Sequence, residues 1–423
     1  MDYTNKLSRA AETLIHSEIR RISGIVDQRK QQGEEIYNLT IGDFSPVVFQ
    51  IPTGLKQEII NAYNKNLTNY PEALGMKIAR ESISKFLNRK GGFEYLPDEI
   101  IIGSGTRPLT YTVFKIIVDP GDVVIYPAPS WNNNCYVGLF AAKGIPIITK
   151  PENNFLVTAT ELKPYINDTT LIALNSPLNP SGTLFSKNQL TEILDLVIEE
   201  NKRRIAEKRK LVYIFFDQVY WLLTFNNSIY YNPVLLRPEI RDYIIFTDGI
   251  SKCFAATGVR LGWAFGPKSL INKMSSVLAH IGAWSPKPEQ VALGKFLNND
   301  SEVDQFLNSF RDAIFNRLHI FYNALLFLKE SGLPIDVIPP QGAMYLTINF
   351  DLTGKKTPSG KVLETTDDIL NFILDDAKVA LVPFYAFGAP KSSRWFRLSV
   401  GTCTEQDAHK AAQSLITSIK KLK

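Results

Sequence analysis

The chain has 423 residues, 45% of them hydrophobic and 21% charged, with a formal net charge of +5. That composition describes an ordinary globular protein long enough for two domains, and so small a positive surplus gives little support to a nucleic-acid partner. Three cysteines and four histidines lack metal-ligand spacing, no run is apolar for long enough to cross a bilayer, and residues 1–21 lack the apolar core of a signal peptide. The expected location is the cytoplasm, with no metal and no membrane contact. Residues 8–32 place Ala11, Leu14, Ile15, Ile19, Ile22, Ile25 and Val26 at helical spacing, which predicts an amphipathic helix. An extended piece follows from Tyr37 to Pro46, in which Gly42 either turns the chain or lets a ligand approach the backbone.

Helices are expected over 54–65 and 75–90, separated by Asn69-Tyr70-Pro71-Glu72. Ile100 to Ile102 form a short strand, and Gly103-Ser104-Gly105-Thr106 turns the chain into a helix from Pro108 to Ile117. Such a turn aims free amide N–H groups and the helix dipole at one point, a common arrangement that becomes an anion site only where a phosphate is implied elsewhere.

From Val123 short continuous apolar runs, over 123–126, 145–149, 171–175, 211–216, 243–247 and 261–265, alternate with helical segments such as Asn188 to Glu207. That is the pattern of a mostly parallel sheet covered on both faces. The basic run Lys202 to Lys210 reads as the solvated end of a helix. From about residue 300 a long helical pattern, Val303 to Glu330, precedes strands over 335–338, 343–349 and 396–400. The division expected is an N-terminal arm over 1–48 that joins the small domain, a large domain over 49–300 and a small α+β domain over 301–423.

Polar residues gather at the ends of the predicted strands: Asn175 with Asn179, Asp217 with Tyr220, and Lys252. Ligands of open α/β sheets bind at those ends. Lys252 has few neighbours able to solvate its ammonium, and Arg260 follows it as a second cation. Both effects lower a lysine pKa, and a free amine condenses with an aldehyde. Alone, the stretch reads more readily as a surface loop carrying an ordinary lysine.

Asn175-Ser-Pro-Leu-Asn179-Pro-Ser-Gly182, Asp217-Gln-Val-Tyr220, Ser251-Lys252 with Arg260, and Arg397-Leu-Ser occur in this order. The set resembles the class I aminotransferases, the aspartate aminotransferase-like enzymes of pyridoxal 5'-phosphate (PLP) fold type I, over nearly the whole chain from Gly42 to Arg397. The resemblance implies an α/β fold: a large domain with a mostly parallel seven-stranded sheet covered by helices, plus a smaller α+β domain. It implies that Lys252 holds PLP as a Schiff base and moves the substrate's α-proton, with Asp217 keeping the pyridine nitrogen cationic so that the ring accepts electrons. Asn179 and Tyr220 would donate to the 3'-oxygen, and Trp131 would lie against the ring. Ser104, Gly105, Thr106 and Ser251, with Arg260, would bind the phosphate. Tyr70 would reach the phosphate of the other subunit of a homodimer with shared sites. Arg397 would grip the substrate α-carboxylate by a two-pronged contact, beside Gly42.

Singly, Asp217 could cap a helix, Trp131 could fill a core and Arg397 could sit in a rim salt bridge. Two positions depart from the family. Gly249 stands where a serine or threonine usually donates to the phosphate, a donor that Ser251 or a water would replace. Thr106 stands where some aspartate-specific relatives carry a lysine, which counts against aspartate specificity. Arg107, Trp284 and Phe387 are candidates for the side-chain pocket. The reaction implied is transfer of an amino group from an amino acid to a 2-oxo acid; lyases, decarboxylases and cyclopropane-forming synthases share this fold and cofactor. A PLP-sensing regulator would need a DNA-binding segment, and residues 1–45 offer only one helix.

Overall fold

The computed structural model describes residues 7–423 except 13, 15–17 and 226. Around the expected N-terminal helix it shows helices Arg9–Glu12 and Glu18–Gln31, with Ile15 outside the described residues. No helix among the described residues is long and apolar enough to cross a membrane.

A seven-stranded sheet runs, in spatial order, Ile100–Gly103, Gly262–Phe265, Ile244–Gly249, Tyr213–Asp217, Thr169–Asn175, Val123–Ala128 and Lys143–Ile148. Every neighbouring pair is parallel except those made by Gly262–Phe265, which runs antiparallel to both its neighbours. The segment between Gly249 and Gly262 holds only the short helix Ile250–Cys253 and one tight turn, too little for a crossover that would bring the chain back parallel. The sheet is therefore mostly parallel, as expected, with one reversed strand.

Side chains alternate across the sheet between two apolar layers. Ile172, Leu174, Ile214, Phe216, Phe246 and Phe265 enter one cluster, and Leu171, Ala173, Phe215, Ile245 and Ala264 the other. Burial on both faces explains why these strands read as continuous apolar runs. Helix Lys187–Ala206 begins at Ser186, whose side chain accepts the Gln189 N–H in a capping box. Its basic end is not simply solvated: Arg204 is buried, with Nε 2.6 Å from Glu200 Oε1 and further bonds to the backbone oxygens of Lys210, Ile166 and Asn167.

A third apolar cluster joins Ile22, Leu39, Phe44 and Phe49 to Leu318, Ile348, Phe396 and Leu415 from the C-terminal third. Tyr37–Asn38 pairs in parallel with Val379–Ala380, and a four-stranded antiparallel sheet stands in the order Val382–Pro383, Trp395–Ser399, Tyr345–Phe350, Ile335–Ile338. Helix Asp300–Glu330 links the two parts: Val303 and Leu307 pack in the cluster of Ile172 and Phe246, and Ile314, Leu318, Phe321, Leu325 and Leu328 in that of Ile22 and Phe396.

Candidate active site

Three adjacent parallel strands end in Asn175, Asp217 and Gly249, and the turn after Gly249 carries Lys252. Beyond these ends lies a cleft of about 450 Å³, the place where open α/β sheets hold ligands. It brings together Gly42, Thr106, Trp131, Asn179, Asp217, Tyr220, Ser251, Lys252, Arg260 and Arg397. A larger groove of about 1060 Å³ elsewhere, lined by Phe86, Tyr95 and Arg241, contains none of the expected site residues.

Lys252 Nζ donates to the Gly42 carbonyl at 2.6 Å and lies 5.9 Å from the centre of the Tyr220 ring. Burial pushes its amine down to about 8, and the cations Arg397 and Arg107 push the same way against Asp43 and Asp217. Burial raises Asp217 to about 6, with the Val219 N–H donating to Oδ1 at 3.3 Å and Lys252 drawing it back down. Amine and carboxyl thus move toward each other in basicity, as desolvation requires of opposite charges.

Arg397 stands on the strand Trp395–Ser399 and is buried, which lowers its pKa. Its Nη1 donates to Asn179 Oδ1 at 2.9 Å and its Nη2 to the Thr40 carbonyl at 2.5 Å, while Nε is buried without a partner. The guanidinium lies 4.5 Å from the Tyr345 ring centre and 4.8 Å from that of Phe387. A side chain at Gly42 would meet Tyr345 Oη at 2.8 Å and Arg397 Nη1 at 3.5 Å, so glycine keeps this end open.

Three glycines form a close-packed corner at the other end. Gly105, at φ +79°, precedes helix Thr106–Ile117, which starts two residues earlier than Pro108. A Cβ on Gly105 would fall 2.5 Å from Arg260 Nη2; one on Gly262 would fall 2.8 Å from the Gly105 carbonyl carbon; one on Gly249 would fall 2.8 Å from Gly262 Cα. Gly249 is therefore a requirement of backbone packing, and a serine or threonine would not fit this corner without a shift. Arg260 adopts the left-handed conformation at φ +61° and donates to the Ser104 carbonyl at 2.9 Å and the Thr257 carbonyl at 2.8 Å. Such strain in a non-glycine residue concentrates at functional sites.

Two residues went unanticipated. Tyr345 Oη is 2.7 Å from Tyr220 Oη, and burial raises the Tyr220 phenol well above its usual value. Asp248, buried and pushed up to about 8, accepts from Trp221 Nε1 and the Gly249 N–H, both at 2.7 Å. It ties the lysine-bearing turn to the turn after Asp217. The run Ala343 to Asn349 reads only as a strand, and Asp248 stands beside the lysine motif with no sequence sign of its partner. Trp284 does not line the cleft; it sits edge-on to Tyr70, 5.8 Å between ring centres, and Tyr70 is 82% exposed. Phe387 borders the cleft through its contacts with Trp131 and Arg397.

Residues 34–415 match the model of the family described as "Aminotransferase class I and II". A probable aspartate/prephenate aminotransferase of Rickettsia felis is 29% identical over 391 residues, 89% of this chain and 88% of that protein. An aspartate aminotransferase of Bacillus sp. (strain YM-2) is 28% identical over 392 residues, covering 92% and 93% of the two chains. The crystal structure of the aspartate aminotransferase from Rhizobium meliloti superposes with a TM-score of 0.88 at 27% identity, over 99% of each chain. With the strand-end lysine, carboxylate and guanidinium in one cleft, the chain belongs to the class I and II aminotransferases and is an aminotransferase of the pyridoxal-phosphate-dependent type.

Proposed function

We propose that the chain moves an amino group from an amino acid to a 2-oxo acid with PLP carried on Lys252, as a cytoplasmic homodimer with shared sites. One observation carries this reading: an amine of lowered basicity, a carboxyl of raised basicity and a buried guanidinium converge in one cleft.

The residues present fit the cofactor. Asp217 forms no ion pair among the described residues, and a pyridinium N–H would answer its buried charge. The glycine corner at the start of helix Thr106–Ile117 suits a phosphate through the helix dipole and the Arg260 guanidinium beside it, while the Ser104 and Gly105 N–H groups already donate to the Ala283 and Gly103 carbonyls. Asn179 accepts from Arg397 through Oδ1, which leaves its amide N–H groups for the 3'-oxygen beside Tyr220. Ser251 lines the same cleft and takes the place of the hydroxyl that Gly249 lacks.

PLP, when bound, supplies an electron sink for charge developing at the substrate α-carbon. Asp217 would hold the ring nitrogen's proton, and Trp131 would lie against the ring. Arg397 binds the α-carboxylate through donors already fixed by Asn179 and Thr40. Lys252 Nζ would be the base that takes the α-proton; its lowered basicity raises the share of free amine over that of an ordinary lysine.

The test is to add amino acids singly to the PLP-loaded protein and follow the visible band of the cofactor. An amino donor should bleach it and a 2-oxo acid should restore it. Ammonia release that needs no 2-oxo acid would contradict amino transfer.

A further inference from the structure

We infer that Tyr345 is a positioning residue for amino transfer: its hydroxyl holds the Tyr220 phenol as donor to the cofactor's 3'-oxygen, and its ring supports the Arg397 guanidinium that receives the α-carboxylate. The inference deepens the function proposed above and rests on the places given there to Tyr220 and Arg397. Tyr345 opens the strand Tyr345–Phe350 and is buried. Backbone bonds pin the residues before it. The Gly342 N–H donates to the Gly182 carbonyl at 2.9 Å, the Ala343 N–H to the Leu223 carbonyl at 2.8 Å, and the Phe225 N–H to the Gln341 carbonyl at 2.9 Å. Ala343 stands in this stretch at φ +62°, a left-handed conformation that a non-glycine residue keeps only where its surroundings enforce it. Thr347, two residues on from Tyr345, donates through Oγ1 to the Ser181 carbonyl at 2.9 Å. The start of the strand is thus fastened both to the segment that carries Asn179 and to the turn that carries Tyr220.

The side chain acts at both ends. Its Oη lies 2.7 Å from Tyr220 Oη, and both phenols are buried. A hydroxyl has one proton to give. A Tyr220 that gives its own to the 3'-oxygen can only accept from Tyr345, so the bonds run in one direction, from Tyr345 to Tyr220 to the 3'-oxygen, and each strengthens the next. The Tyr345 ring lies 4.5 Å from the Arg397 guanidinium. Register explains the contact: Arg397 stands opposite Thr347 on the adjacent antiparallel strand, which makes Tyr345 its diagonal neighbour on the same face. Phenylalanine at 345 would keep the ring beside Arg397 and lose the bond to Tyr220. Leucine would lose both, so the two roles separate.

The test is a pH titration of the visible band of the PLP-loaded protein. A donor to the 3'-oxygen draws off the negative charge that holds a proton on the nitrogen joining Lys252 to the cofactor, so a weakened donor raises the pH at which that proton leaves. Tyr345→Phe should raise the midpoint by about half to one pH unit, the scale of one hydrogen bond, and add nothing where Tyr220→Phe is already present. Arg397, Asp217, Asp43 and Lys252 are the charged groups around the two phenols, and Tyr345→Phe leaves each in place. Equilibrium binding of propionate, read on the same band, should stay within about twofold in Tyr345→Phe and weaken by about tenfold in Tyr345→Leu. A midpoint that Tyr220→Phe moves and Tyr345→Phe does not, or propionate binding equal in all three proteins, overturns the inference alone. A midpoint unmoved by Tyr220→Phe overturns the place of Tyr220 at the 3'-oxygen and this inference with it.

Discussion

Lys252 and Asp217 leave their ordinary basicities in opposite directions, the amine falling to about 8 and the carboxyl rising to about 6. Below pH 8 the ammonium form predominates and cannot attack a carbonyl carbon; above it the free amine can. Capture of PLP by cofactor-free protein should therefore quicken with rising pH and level off past about 8, as stopped-flow absorbance would show. A rate still climbing toward 10.5, the ordinary lysine value, would mean that Lys252 is as well solvated as a surface lysine. Asp217→Asn should keep donor binding, since Arg397 is untouched, but slow α-proton removal by about a hundredfold to ten-thousandfold, the scale of a broken buried ion pair. Single turnovers with α-deuterated donor measure that step, and a loss of only a few fold would reduce Asp217 to a turn cap. That these two residues share a cleft with Asn179 and Arg397 was legible because each sits in a short motif, Asp217 at a strand end, Asn179 and Lys252 just past one and Arg397 within a strand. Tyr345 was not, because its contact with Tyr220 joins segments far apart in the chain, and nothing local marks it.

The short elements around the cleft set its shape more tightly than the long helices do. Gly105, Gly262 and Gly249 pack backbone on backbone, so Gly262→Ala forces a Cβ to within 2.8 Å of the Gly105 carbonyl carbon. Overpacking of this kind costs about 1–3 kcal/mol, and the strain falls on the corner assigned to the phosphate. PLP affinity should drop by about tenfold or more, measured by fluorescence titration alongside thermal unfolding. Unchanged affinity would mean that the phosphate lies elsewhere. The reversed strand Gly262–Phe265 was not legible in its direction: a buried apolar run looks the same either way. Helices Lys268–Ile281 and Lys287–Phe296 also went unassigned, although Ile271, Met274 and Leu278 stand at helical spacing. Their apolar faces are short and interrupted by lysines and prolines.

Across the whole molecule, the N-terminal segment contributes Ile22, Leu39, Phe44 and Phe49 to the cluster of the C-terminal third. The cleft between the clusters takes Gly42 from one end of the chain and Arg397 from the other. Tyr70 lies outside that cleft, exposed and beside Trp284, and the proposed homodimer would have it serve the site of the second subunit. Mixing two inactive proteins, Lys252→Ala and Tyr70→Phe, should then recover part of the activity, because hybrid dimers carry one intact site. A fully active monomer by sedimentation would remove the shared site.

Borohydride reduction of the PLP-loaded protein followed by peptide mass mapping is the most direct measurement. The reduced cofactor should appear on the peptide containing Lys252 and on no other, and Lys252→Ala should remain folded yet lose both the adduct and amino transfer. An adduct on a different lysine, or amino transfer that survives in Lys252→Ala, would contradict the assignment of Lys252 as the residue that carries the cofactor.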